Sequence, residues 1–131
     1  MADIARNSDE IALALGRALA DHNGGEVVIL DVAAQAGWTD RFVIATATSS
    51  THLRGLARFA DEELAKLGLA RLNRSSLSSE EEWLLIDLGF VVVHIMTERA
   101  RSFYELEKLW FQSPAIRVAP TGAQIAKKDA S

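Results

Sequence analysis

Glu80, Glu81, Glu82 and Asp87 put four acids within eight residues, with no base among them. Such a group can supply a catalytic carboxylate pair. It can equally form an acidic rim for a Lys- or Arg-rich partner. The catalytic use needs more chemistry nearby than this stretch offers. Asp87 falls at a hairpin turn with no adjacent His or Lys and no phosphate-binding Gly loop. Trp83, directly after the acids, favours the rim, because aromatics ringed by charge are typical interface anchors. The ordinary alternative is a solvated loop followed by one turn residue.

His94 stands inside the apolar run VVVHIM. A lone strand histidine is usually a core or supporting residue, and His22 and His52 are too distant in sequence to argue a metal site with it. Facing outward, it would join Trp83 and Asp87 on a contact surface. Arg101 and Tyr104 are three apart and share a helical face. They are either hot-spot material or, for Arg101, half of a surface pair with Glu105 four residues on. Thr48-Ser49-Ser50 can cap a following helix or cradle an anion there. No GKS or GKT sequence supports a nucleotide triphosphate site.

The elements that must position these residues follow from periodicity. WLLID, a Gly-containing reversal and VVVHIM predict two strands over Trp83–Asp87 and Val91–Met96, with Thr97 capping a helix that carries Glu98 in its first turn. That helix is expected to bury Phe103, Leu106 and Trp110. Upstream, residues 8–22 predict an amphipathic helix capped by Ser8, with Ile11, Leu15, Ala18 and Leu19 as its apolar stripe. Val27–Val32 and Phe42–Ala47 are apolar at successive positions, as in inner strands. Leu53, Leu56, Ala57, Ala60, Leu64 and Leu67 mark one face of a helix that Gly68 stops. Leu69–Asn73 suggests a short edge strand and the following RSSLSSEEE an exposed loop. The expected fold is a single α/β (α+β) domain over residues 1–118, a mixed sheet of about five strands flanked by helices, with a flexible tail over 119–131.

The 131 residues carry no cysteine, so thiolate nucleophiles, disulfides and Cys-based metal sites are excluded. No apolar run approaches the roughly 20 residues of a membrane span, and the residues after Met1 lack a signal-peptide pattern, so the expected location is cytoplasmic. The net charge of −4 argues against broad nucleic-acid binding, which needs a basic surface.

The stretch WLLIDLGFVVVHIMTERARSFYELEKLW resembles the signature of the ribosomal silencing factor family (Iojap-like, RsfS). The matching positions are Trp83, Asp87, Gly89, Val91 to His94, Arg101, Phe103, Tyr104, Leu106, Glu107, Leu109 and Trp110. VVILDV…TDRFVIATATSS is similar to the family's upstream segment, so the resemblance spans about residues 8–115. It departs at DHNGGE, at SSLSSEEE and at Phe90, where the family commonly has a Lys-rich turn, Glu-Gly and Asp. The resemblance implies a non-enzymatic translation repressor with a nucleotidyltransferase-like scaffold and no cofactor. It would bind the large ribosomal subunit through its fourteenth protein (uL-fourteen), block joining of the small subunit and possess a role in large-subunit biogenesis. It implies limited contact with ribosomal RNA, no membrane partner, and a homodimer when free. The contact surface would centre on Trp83, Asp87, His94, Arg101 and Tyr104, rimmed by Glu80, Glu81 and Glu82. The contrasting expectation is a nucleotidyltransferase-type enzyme. Asp61, the first acid after Thr48-Ser49-Ser50, lies on the solvent side of a helix, and Asp31 and Asp87 are single acids on separate segments, which leaves no paired carboxylates for two metals.

Overall fold

Apolar runs flanked by Gly and polar residues become the inner strands of a five-stranded mixed sheet. The computed structural model describes residues 3–73 and 82–121. In chain order these form α1 (Asp3–Asp21), β1 (Gly25–Asp31), α2 (Ala33–Ala36), β2 (Arg41–Ala47), α3 (Ser50–Lys66), β3 (Trp83–Asp87), β4 (Val91–Thr97), α4 (Glu98–Tyr104), α5 (Leu106–Leu109) and β5 (Ala115–Arg117). The sheet order is β3-β4-β2-β1-β5. Among the described residues only β2 and β4 pair in parallel; β1/β2, β3/β4 and β1/β5 are antiparallel.

Alternation along the strands splits the interior into two layers. On one face α1 and α3 cover Val43, Ala45, Leu84, Ile86, Val93 and Ile95 with Leu15, Leu19, Leu53, Leu56 and Leu64. On the other, Ala100 of α4 and Leu106 of α5 close over Val28, Leu30, Phe42, Ile44, Val92 and Met96, with Trp83 and Trp110 half-buried at the margin. The central strands are thus apolar on both sides, as their continuous runs predict.

Several expectations need correction. The first helix starts upstream of Ser8, which is not a cap: it is buried inside α1, and its hydroxyl donates to Asp40 Oδ2 at 2.9 Å. Leu69–Asn73 is no strand, though it does guard the edge of one. Leu72 N–H donates to Asp87 O, Asn73 Nδ2 donates to Leu85 O at 3.0 Å, and Asn73 Oδ1 accepts from Asp87 N–H at 2.9 Å. One amide side chain thereby imitates a neighbouring strand and satisfies two outward groups of β3, Leu85 O and Asp87 N–H. The fifth strand is instead β5, three exposed residues registered on Val28–Leu30. Leu67 caps α3 and is exposed. The last helix is broken at Glu105, whose φ of +47° lies in the left-handed region. The break puts α4 and α5 out of phase, so Leu106 is buried but Phe103 is 76% exposed. Most of the Ser-rich loop and residues 122–131 lie outside the described residues.

Candidate docking face

The β3–β4 hairpin and α4 build the site. Asp87 Oδ1 accepts from Gly89 N–H at 2.8 Å, and Gly89 takes φ +88°, which turns the chain from β3 into β4. In the resulting register Trp83 faces Met96 and Leu85 faces His94. Thr97 ends β4 and caps α4 by accepting from Ala100 N–H at 3.2 Å; its own hydroxyl donates to Glu82 Oε1 at 2.9 Å. Arg99 also binds the Glu82 carboxylate. These bonds, Arg99 first and Thr97 second, hold the Glu82 carboxyl below its usual range.

The aromatics form a chain running from the core to solvent. Phe42 meets His94 edge-on with ring centroids 4.6 Å apart. The Trp83 indole N–H donates to His94 Nδ1 at 3.2 Å. Trp83 and Tyr104 lie 4.9 Å apart and tilted, and Tyr104 and Phe103 lie 4.9 Å apart at right angles. These are favourable edge and tilted geometries. Glu82, Arg99, Ala100, Phe103 and Tyr104 enclose a 220 Å³ hollow beside them. The outcome is an aromatic ridge with an ion pair on its flank.

His94 is 6% exposed, and burial lowers its pKa from 6.5 to about 4. It is therefore neutral near pH 7. An indole N–H can only donate, so His94 Nδ1 is the acceptor and the ring proton sits on Nε2. That Nε2 has no hydrogen-bond partner among the described residues.

Trp83, His94 and Tyr104 are neighbours, but His94 does not face outward: it is 6% exposed and lies beneath Trp83, not on the surface. Asp87 lies on the same sheet face beyond Leu85, about 13 Å along the strand from Trp83, and works in the turn. Arg101 does not share the outward side of Tyr104. Its guanidinium donates to Glu26 O at 2.8 Å and Thr46 Oγ1 at 2.7 Å, and it pairs with Glu107 (not with Glu105) at 2.9 Å. It is a clamp joining β1, β2 and α5. Glu80 and Glu81 lie outside the described residues. Phe103 and Leu85 are exposed parts of the face that periodicity did not single out. For Phe103, the available signals are its adjacency to Tyr104 and its place in the family signature.

The carboxylates of the enzyme alternative stay apart. Asp31 pairs with Arg41 at 3.0 Å, Asp61 pairs with Arg71 at 2.5 Å, and Asp87 serves its turn. No group of three His, Asp or Glu positioned to hold a metal occurs among the described residues. Ser49 caps α3 by accepting from His52 N–H at 3.0 Å, the ordinary use of the Thr-Ser-Ser turn. No helix among the described residues is long and apolar enough to cross a membrane.

Comparison with known proteins places this geometry in a lineage. The model of the family described as "Ribosomal silencing factor during starvation" matches residues 5–131. A ribosomal silencing factor of Treponema pallidum is 38% identical over 100 residues, covering 76% of this chain and 88% of that protein. The mouse "Mitochondrial assembly of ribosomal large subunit protein 1" is 30% identical over 94 residues, 70% of this chain and 41% of that one. A crystal structure of a Chromobacterium violaceum protein superimposes with a TM-score of 0.70 at 30% identity, over 80% of this chain and 84% of the other. The chain belongs to the ribosomal silencing factor family.

Proposed function

We propose that the chain represses translation by steric occlusion. It docks on the large ribosomal subunit through that subunit's fourteenth protein (uL-fourteen), in the cytoplasm, and its bulk keeps the small subunit from joining. No catalytic step is needed. The observation that carries this reading is the ridge in which half-buried Trp83 leads to exposed Tyr104 and Phe103 beside Glu82, on a chain of net charge −4. Large rigid aromatics give contact area at low entropic cost, and the net negative charge of the chain suits a basic protein partner. Contact with ribosomal RNA is limited for the same electrostatic reason. A role in large-subunit assembly accords with the name of the mouse relative. When free, the chain covers the ridge by pairing with a second copy.

The test is co-sedimentation of Trp83→Ala with purified large subunits. Loss of a hot-spot aromatic costs about 2 kcal/mol or more, which is roughly thirtyfold in affinity. The interaction should also weaken as salt rises. A folded Trp83→Ala variant that binds as tightly as wild type would refute the assignment.

A further inference from the structure

We infer that His94 is the positioning residue of this face: its Nδ1 receives the Trp83 indole N–H and fixes the ring in the orientation the partner meets. The inference rests on the docking reading of Trp83 given above. It begins from an oddity of the core. His94 sits on a central strand, in register with Ile44 on one side and Leu85 on the other, and against the edge of Phe42. An apolar side chain of similar size fits such surroundings better. Among the described residues the buried Nε2 proton meets no acceptor, so the imidazole gains nothing there over a hydrocarbon.

What the imidazole supplies and a hydrocarbon cannot is one acceptor, and Trp83 Nε1 uses it at 3.2 Å. The bond is directional, so it selects one rotation of a large ring at the margin of the core. Trp83 in turn sets Tyr104 and, through it, the exposed Phe103, each step 4.9 Å between ring centres. Burial keeps the ring neutral near pH 7, so the acceptor is always available. Without the bond the indole N–H must seek water, and the ridge becomes a set of rotamers that the partner has to order on binding.

The experiment compares the full chain with His94→Phe, His94→Asn and Trp83→Ala. Phe keeps a ring without an acceptor, whereas Asn offers a carbonyl oxygen close to the place of Nδ1. Co-sedimentation with purified large subunits and the Trp83 indole ¹⁵N–¹H resonance, assigned by its loss in Trp83→Ala, are the two readouts. His94→Phe should move that resonance and weaken binding roughly five- to tenfold, the scale of one hydrogen bond. His94→Asn should recover most of both. An unmoved resonance with wild-type binding in His94→Phe, or an Asn variant no better than Phe, overturns the inference. If Trp83→Ala weakens binding and His94→Phe does not, positioning alone falls. If Trp83→Ala also binds normally, the docking reading itself fails. The wild-type chain gives a further check that requires no variant: its His94 must carry the proton on Nε2, and the opposite tautomer refutes the bond.

Discussion

Replacing Arg101 with Ala should cost stability and leave the docking face intact. The guanidinium makes two short bonds to neutral acceptors, Glu26 O at 2.8 Å and Thr46 Oγ1 at 2.7 Å, and reaches Gly25 O at a longer 3.4 Å. Hydrogen bonds to a charged group are worth roughly 1.5–3 kcal/mol each. The Arg101 side chain is only 10% exposed, but the Glu107 carboxylate is 40% exposed, so the ion pair adds less than about 1 kcal/mol. The freed acceptors line an open hollow and regain water there, which trims the sum to about 3 kcal/mol. At roughly 2.1 cal/mol/K of unfolding entropy per residue, 131 residues give about 0.28 kcal/mol/K. The melting temperature should therefore fall by roughly 10 °C. Calorimetric melts of wild type, Arg101→Ala and Arg101→Lys measure it, with Lys intermediate because it keeps the charge and loses the fork. Subunit binding well below the melting point should be unchanged. An Arg101→Ala variant that melts like wild type but fails to bind subunits would refute the clamp and restore Arg101 to the contact surface.

Three further outcomes are expected. The unfolded His94 imidazole takes up its proton near pH 6.5 and the folded one near 4, so the penalty is absent above about pH 6.5, grows as pH falls, and is complete near pH 4. At 1.4 kcal/mol per pKa unit it reaches about 3 kcal/mol, and melts from pH 7 to 4.5 should show a shallower decline for His94→Phe than for wild type. Gly24→Ala would put a Cβ 2.7 Å from the backbone oxygen of Leu19, which Gly24 N–H already binds at 2.8 Å; denaturant unfolding should register a loss of about 1–3 kcal/mol. Asn73→Ala bares Leu85 O and Asp87 N–H on the outer edge of β3 and should produce species larger than a dimer as concentration rises, visible by light scattering and not formed by wild type at the same concentration.

Val27–Val32, Phe42–Ala47 and Val91–Met96 are legible because a strand buried on both faces is apolar at nearly every position, with Asp31, Thr46 and His94 the exceptions here. Helix α3 was legible because its buried positions repeat at helical spacing. The errors arise where position depends on partners remote in sequence. Ser8 meets Asp40 across 32 residues, and Arg101 meets Thr46 across 55 and Glu26 across 75. No periodicity encodes those pairings. Phe103 was misplaced because Glu105 adopts a left-handed backbone that only glycine or asparagine would have advertised. Strand β5 is three exposed residues held by register on β1, too short for alternation to show. Within the site, the strand and helix spacing singles out Trp83, His94 and Tyr104 together with Asp87 and Arg101; that His94 is buried and receives a bond from Trp83 depends on side-chain directions that only the hairpin register defines.

The single parallel pairing also determines when the ridge can exist during folding. The β1–β2 and β3–β4 hairpins each close locally, but joining them through β2 and β4 brings Arg41 to Val91, 91 − 41 = 50 residues apart. Closing such a loop costs about 3.5 kcal/mol of chain entropy, which makes it the late event of assembly. Phe42 belongs to the first half, whereas Trp83, His94 and Tyr104 belong to the second. A nascent chain with only its first half made carries none of the ridge, and a complete chain with its halves unjoined carries it without its floor. The complete ridge therefore arrives last, together with the finished sheet.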